Sequence, residues 1–120
     1  MIEHIILGLL LKHFIVDFPL QTPFMYLNKG IYGHRGGVLH AWLHWVGTYI
    51  VLVWCGVPFW TSGSLALLDY VAHYHIDWAK VNLTKHYDLT PLNSEKYWWL
   101  LGLDQFLHQL TYVLIAVLAK

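Results

Sequence analysis

Eight residues in four apolar stretches of the chain could do chemistry together: His13 and Asp17, His40 and His44, His73 and Asp77, Asp104 and His108. Each pair is spaced i, i+4, which on a helix puts both side chains on one face about a turn apart. Four helices closing those faces on one another would gather five imidazoles and three carboxylates in one volume. Mixed nitrogen and oxygen donors suit Zn²⁺, Mn²⁺ or Fe²⁺, and the absence of cysteine ligands argues against a structural thiolate zinc site. The set exceeds what one tetrahedral ion can use. Two ions about 3.5–4 Å apart, activating water for attack on a phosphoryl or acyl centre, are the chemistry expected. The same groups could instead relay protons or pass a divalent ion.

The elements that must position them are those of a membrane protein. The 120 residues are 58% hydrophobic, 17% aromatic and only 12% charged, against roughly 25% charged in soluble domains. Formal net charge is zero with His neutral, so no basic surface for nucleic acid is expected. The one cysteine, Cys55, lies in an apolar run, cannot form an internal disulfide and reads as a small hydrophobe. At the N-terminus Glu3 stands where a secretory signal would carry Lys or Arg, so the first segment reads as retained.

Proline, glycine and polar runs divide the chain into four helices of a single domain, at about residues 2–18, 38–57, 64–80 and 95–119. Pro19 stops the first and Pro58 the second, while Asn93 or Ser94 can cap the fourth. A hydrocarbon core of roughly 30 Å needs about 20 helical residues. The predicted fold is therefore all-α, a polytopic bundle of four transmembrane helices. The second segment has no polar outer face that would suit a soluble bundle. Trp42, Trp45, Trp54, Trp60, Trp98 and Trp99, near helix ends, fit interfacial belts. Lys29, Arg35, Lys80, Lys85 and Lys96 fall on one side of such a bundle, and only Lys120 and the N-terminal amine on the other. The positive-inside tendency then puts both termini outside the cytoplasm.

Although successive helices run in opposite directions, that threading sets all four ligand pairs in the cytoplasmic half. Chance placement would scatter them in depth. Ionisable groups inside spans are costly unless paired or facing a wet cavity, so this layer is the candidate site. Asp69, a turn before His73, is expected to orient that imidazole, and Lys80, Gln21 and Gln105 to position substrate or water. His4, His34 and His86 fall outside the layer.

The ordered set His13-Phe-Ile-Val-Asp17-Phe-Pro-Leu-Gln21, Lys29, His40, His73-Tyr-His-Ile-Asp77-Trp-Ala-Lys80 and Asp104-Gln105-Phe-Leu-His108 resembles domain-of-unknown-function family 3307, small membrane proteins of bacteria and their phages. The resemblance covers nearly the whole chain and implies a compact polytopic membrane protein without naming a reaction. His34-Arg35-Gly36, shortly before His40, is also loosely similar to a segment of membrane-bound metal-dependent hydrolases, with a different spacing. The first reading is a metal-dependent hydrolase of the bacterial inner membrane, acting on a lipid or its headgroup and able to form homo-oligomers. The alternatives are a proton or divalent-metal transporter, and a holin-like phage effector whose polar core is structural.

Overall fold

A computed structural model describes residues 1–120 as five α-helices with no strand: α1 (Ile2–Asp17), α2 (Pro23–Tyr26), α3 (Arg35–Trp54), α4 (Phe59–His86) and α5 (Glu95–Leu118). Pro19 follows α1 as expected, and the connection after it holds one further turn, α2, with Pro23 in the first turn, where its missing N–H costs nothing. Beyond α3, Gly56 takes φ 83°, a left-handed conformation open to glycine, and the chain reverses with Val57 N–H donating to Leu52 C=O. Ser94 caps α5 by accepting from the Lys96 N–H.

The third predicted helix is longer than its expected range of 64–80. It starts at Phe59 and runs to His86, because polar residues that suggested connections bond back into the helix instead. Thr84 donates to the carbonyl of Lys80, and Asn82 donates both to Trp78 C=O and across to Gly30 C=O. Such side-chain bonds let Thr and Asn sit inside a helix without unpaired donors.

The four long helices form a square bundle. α1 packs against α3 and α5, α3 against α4, and α4 against α5, while the backbones of the diagonal pairs stay apart and α1 meets α4 through side chains that cross the centre. Short connections make neighbours antiparallel. The open centre is filled differently at its two ends. Ile5, Leu9, Leu52, Val57, Leu65, Ile115 and Ala116 close one end. The other end is polar, and 11 of the 26 buried residues are polar or charged. The outward faces reverse this pattern: Leu7, Phe14, Ile50, Phe106 and Leu114 are among the exposed residues. A water-soluble bundle would bury such side chains and expose its charges.

By length and hydropathy α3 and α5 could cross a membrane. α1 has 16 residues, about 24 Å of helix, and α4 has 28, about 42 Å. The first is shorter than a usual span, and the second is more polar along its length.

Candidate metal centre

The polar end of the bundle is where the four i, i+4 pairs meet. α1 supplies His13 and Asp17 from its last turns, α3 His40 and His44 from its first, α4 His73 and Asp77 from its middle, and α5 Asp104 and His108. All eight expected ligands lie in one cluster. Two carboxylates organise it. Asp17 Oδ1 lies 2.8 Å from His44 Nε2, 3.0 Å from His40 Nε2 and 3.5 Å from His73 Nε2. Asp77 reaches His73 Nε2 at 3.1 Å and His40 Nε2 at 3.4 Å through Oδ2, and His108 Nε2 at 3.1 Å through Oδ1. Asp104 Oδ1 is 3.3 Å from His108 Nε2. The His73 ring stacks between those of His44 and His108, with centroids 3.5 and 4.1 Å away.

A second polar layer, deeper in the bundle, holds the first in place. The Lys12 ammonium donates to Asp69 at 2.7 Å, and the two side chains are 5% and 1% exposed. Lys12 also lies 3.0 Å from His44 Nδ1 and 3.4 Å from the Tyr112 hydroxyl. Thr48 donates to the same Asp69 oxygen. Lys12 reaches this position across Gly47, where an added Cβ would collide with its Cγ. Asp69 therefore pairs with Lys12 and does not orient His73.

Hydrogen-bond bookkeeping assigns the roles of two imidazoles. A lysine ammonium only donates, so His44 Nδ1 accepts, and its proton sits on Nε2, aimed at Asp17. His13 has Nε2 3.1 Å from both Asp17 Oδ2 and Gln105 Oε1, with Nδ1 2.7 Å from the Tyr112 hydroxyl. Its Nε2 donates to those acceptors while the hydroxyl donates to Nδ1. In this arrangement both rings hold Asp17 in place. Two donor sets converge closely enough to hold an ion, Asp17 with His40, His44 and His73, and His73 with Asp77 and His108; His73 is common to both, and with His44 turned to Asp17 the first keeps three donors.

The donor set fits a divalent ion. In the first set His40 Nε2 and His73 Nε2 are 3.3 Å apart, and each lies within 3.5 Å of Asp17 Oδ1. Two donors on one tetrahedral zinc ion, at about 2.0–2.1 Å each, are separated by about 3.3 Å. The Nε2 atoms of His40 and His73 face only each other and the carboxylates of Asp17 and Asp77, while their Nδ1 atoms and Asp104 Oδ1 are buried without hydrogen-bond partners. Charge points the same way. With carboxylates ionised and imidazoles neutral, Asp17, Asp69, Asp77 and Asp104 face only Lys12 and Lys29. The two negative charges left over would be costly in a buried site unless a bound cation, or protons on two of the imidazoles that face them, neutralised them.

The remaining expected residues divide. Gln105 bridges His13 and Asp104, the latter at 2.9 Å. Gln21 donates to Asp17 C=O and accepts from Lys29, whose ammonium lies 3.4 Å from Asp77 Oδ2. Lys80 is not drawn into the cluster; it lines a cleft between α4 and α5, and Lys29 is the cation that meets Asp77. Sequence reasoning passed over Lys12, Thr48 and Tyr112. A lysine in the middle of an apolar helix is itself a signal, and it was available for Lys12. His34 proves to be a cap, its Nδ1 accepting from Gly36 N–H at 3.0 Å.

No curated protein and no solved structure matches the chain. The family model described as "Protein of unknown function (DUF3307)" matches residues 5–120. The chain belongs to that family.

Proposed function

We propose that the protein is a metal-dependent hydrolase of the bacterial inner membrane, a four-span bundle whose His/Asp cluster faces the cytoplasmic leaflet. The observation that carries this reading is the pair of converging donor sets, Asp17 with His40 and His73, and His73 with Asp77 and His108, side by side at one depth. Three protein donors with a position left open are the pattern of catalytic rather than structural zinc. A bound divalent ion would supply activated water and polarise a phosphoryl or acyl oxygen. The chain's own groups do the rest. His13 and His44 hold Asp17, Gln105 ties His13 to Asp104, and Lys29 brings a positive charge to Asp77, where an anionic substrate would need it. Two ions would leave the cluster with a net positive charge, which favours a phosphate-bearing substrate.

The inside-out distribution of polarity supports the membrane reading, since lipid is the solvent in which apolar outer faces and a paired polar core are stable. Its topology is testable. Reporter fusions after Gly30 and Asp88 are expected to report cytoplasm and a fusion after Lys120 the opposite side; Lys120 on the same side as Gly30 would rule out four spans.

Transport draws support from the deeper Lys12–Asp69–Tyr112 layer, but Ile5, Leu9, Leu52 and Ile115, all fully buried, block the path beyond it. The hydrolase reading is tested by incubating reconstituted protein with Zn²⁺ or Mn²⁺ and a panel of phospholipids and acyl esters. Release of phosphate or fatty acid that stops with chelator and with Asp77→Asn is the expected result. No turnover on any of them with metal bound would contradict it.

A further inference from the structure

The lipid-facing side of the bundle carries a groove that ends at the cluster. Between the end of α4, the following turn and the start of α5 is a cleft of about 730 Å³, bordered by Tyr87, Asp88, Lys96 and Trp99. A second cleft of about 260 Å³ lies against it, with Lys80, Ala79, Leu107 and Asp104 in its wall. Leu83, Leu100 and Leu103 line both, so the two form one channel-like depression along the α4–α5 seam. Its floor is apolar, and its wall carries the cations Lys80 and Lys96 and the exposed acid Asp88. Its inner end is Asp104, 4% exposed, with Oδ1 lacking a hydrogen-bond partner and in reach of His108.

We propose that an anionic, acyl-chain lipid reaches the cluster sideways from the bilayer through this groove, its chain against Leu83, Leu100 and Leu103 and its phosphate between Lys80 and Lys96. The inference rests on the hydrolase reading only for what happens to the lipid afterwards. Charge complementarity selects the occupant. A helix from another protein would find two lysines along the seam, whereas a phosphate headgroup at the cytoplasmic interface meets both while its chain stays in apolar surroundings. Lys80, outside the cluster, thereby gains a role in recognition. The bundle also offers a comparison on the same molecule. The cleft of about 350 Å³ between α1 and α3, beside Gly8, Leu43, Gly47 and Ile50, is as apolar, but the one cation in its wall, Lys12, has its ammonium turned inward onto Asp69.

The test uses the full chain in zwitterionic vesicles containing a trace of phosphatidic acid with a photoreactive acyl chain, and in parallel the same tag on phosphatidylcholine. Labelled residues are mapped by mass spectrometry. Phosphatidic acid is expected to label the Leu83/Leu100/Leu103 seam several-fold more than phosphatidylcholine does, while the α1–α3 cleft labels equally with both. Lys80→Gln with Lys96→Gln should abolish the preference, and Leu103→Trp should reduce seam labelling without changing the α1–α3 signal, which reports an intact fold. Equal labelling by the two headgroups, labelling spread evenly round the bundle, or crosslinks from the seam to a second copy of the chain would each overturn the proposal. Chelator should leave the labelling intact. A protein that labels as expected but holds no metal would defeat the hydrolase reading alone, and one that holds metal without seam preference would defeat the groove alone.

Discussion

Replacing Lys12 with Ala is expected to lower the stability of the bundle by about 3–5 kcal/mol, the cost of leaving a buried charge without its partner. The partner is Asp69, at 2.7 Å and 1% exposed, with Thr48 as its other donor. Thr48 cannot neutralise a carboxylate. Asp69→Ala should be as damaging, because it strands the ammonium. The double variant Lys12→Met/Asp69→Leu removes both charges and fills similar volume, so it should recover most of the loss, as buried ion pairs replaced by apolar residues commonly do. Unfolding in detergent followed by circular dichroism measures all three. A Lys12→Ala protein within about 1 kcal/mol of the parent would mean that the pair does not order the bundle. The double variant carries a second consequence. Without Lys12, His44 Nδ1 loses its donor, and the tautomer that aims Nε2–H at Asp17 is no longer fixed.

His73→Ala should be the most damaging change for metal binding, and His44→Gln among the mildest within the cluster. The two rings stack on each other and are both fully buried, so burial alone would rank them together. Their hydrogen bonds separate them. His73 Nε2 faces His40 Nε2 at 3.3 Å and both organising carboxylates, while His44 Nδ1 is taken by Lys12. Gln at 44 can still donate to Asp17 through its amide. Metal content per chain after gel filtration is expected to fall by ten-fold or more for His73→Ala and to stay within about two-fold for His44→Gln, the loss usual for a removed ligand against a retained orienting group. Equal loss in both would show that His44 ligates and that the Lys12 contact does not fix its tautomer.

The ligand pairs were legible because i, i+4 spacing acts within one helix and needs no knowledge of its neighbours. Their common depth was legible because alternating helix direction converts sequence position into height. The pairing of Lys12 with Asp69 was not. The two are 57 residues apart and meet only because Gly47 of α3 lets the lysine stem pass between helices. The choice between Lys29 and Lys80 also depended on packing. Lys80 lies three residues beyond Asp77 and looked the closer cation, yet its side chain serves the outer seam, and Lys29 arrives from the α1–α3 connection with Gln21 steering it. The length of α4 was obscured for a local reason: Asn82 and Thr84 resemble connection residues in composition, and only their bonds to carbonyls four residues back show them to be helical.

That the cluster is a divalent-metal site is tested most directly by elemental analysis of the wild-type protein, purified in detergent without chelator and compared with the same protein carrying His73→Ala and Asp77→Asn. The account predicts one to two equivalents of zinc, manganese or iron per chain in the wild type and little in the double variant at unchanged helical content. Wild-type protein that holds no such metal, and takes up none when supplied with a slight excess of Zn²⁺, Mn²⁺ or Fe²⁺, would contradict it.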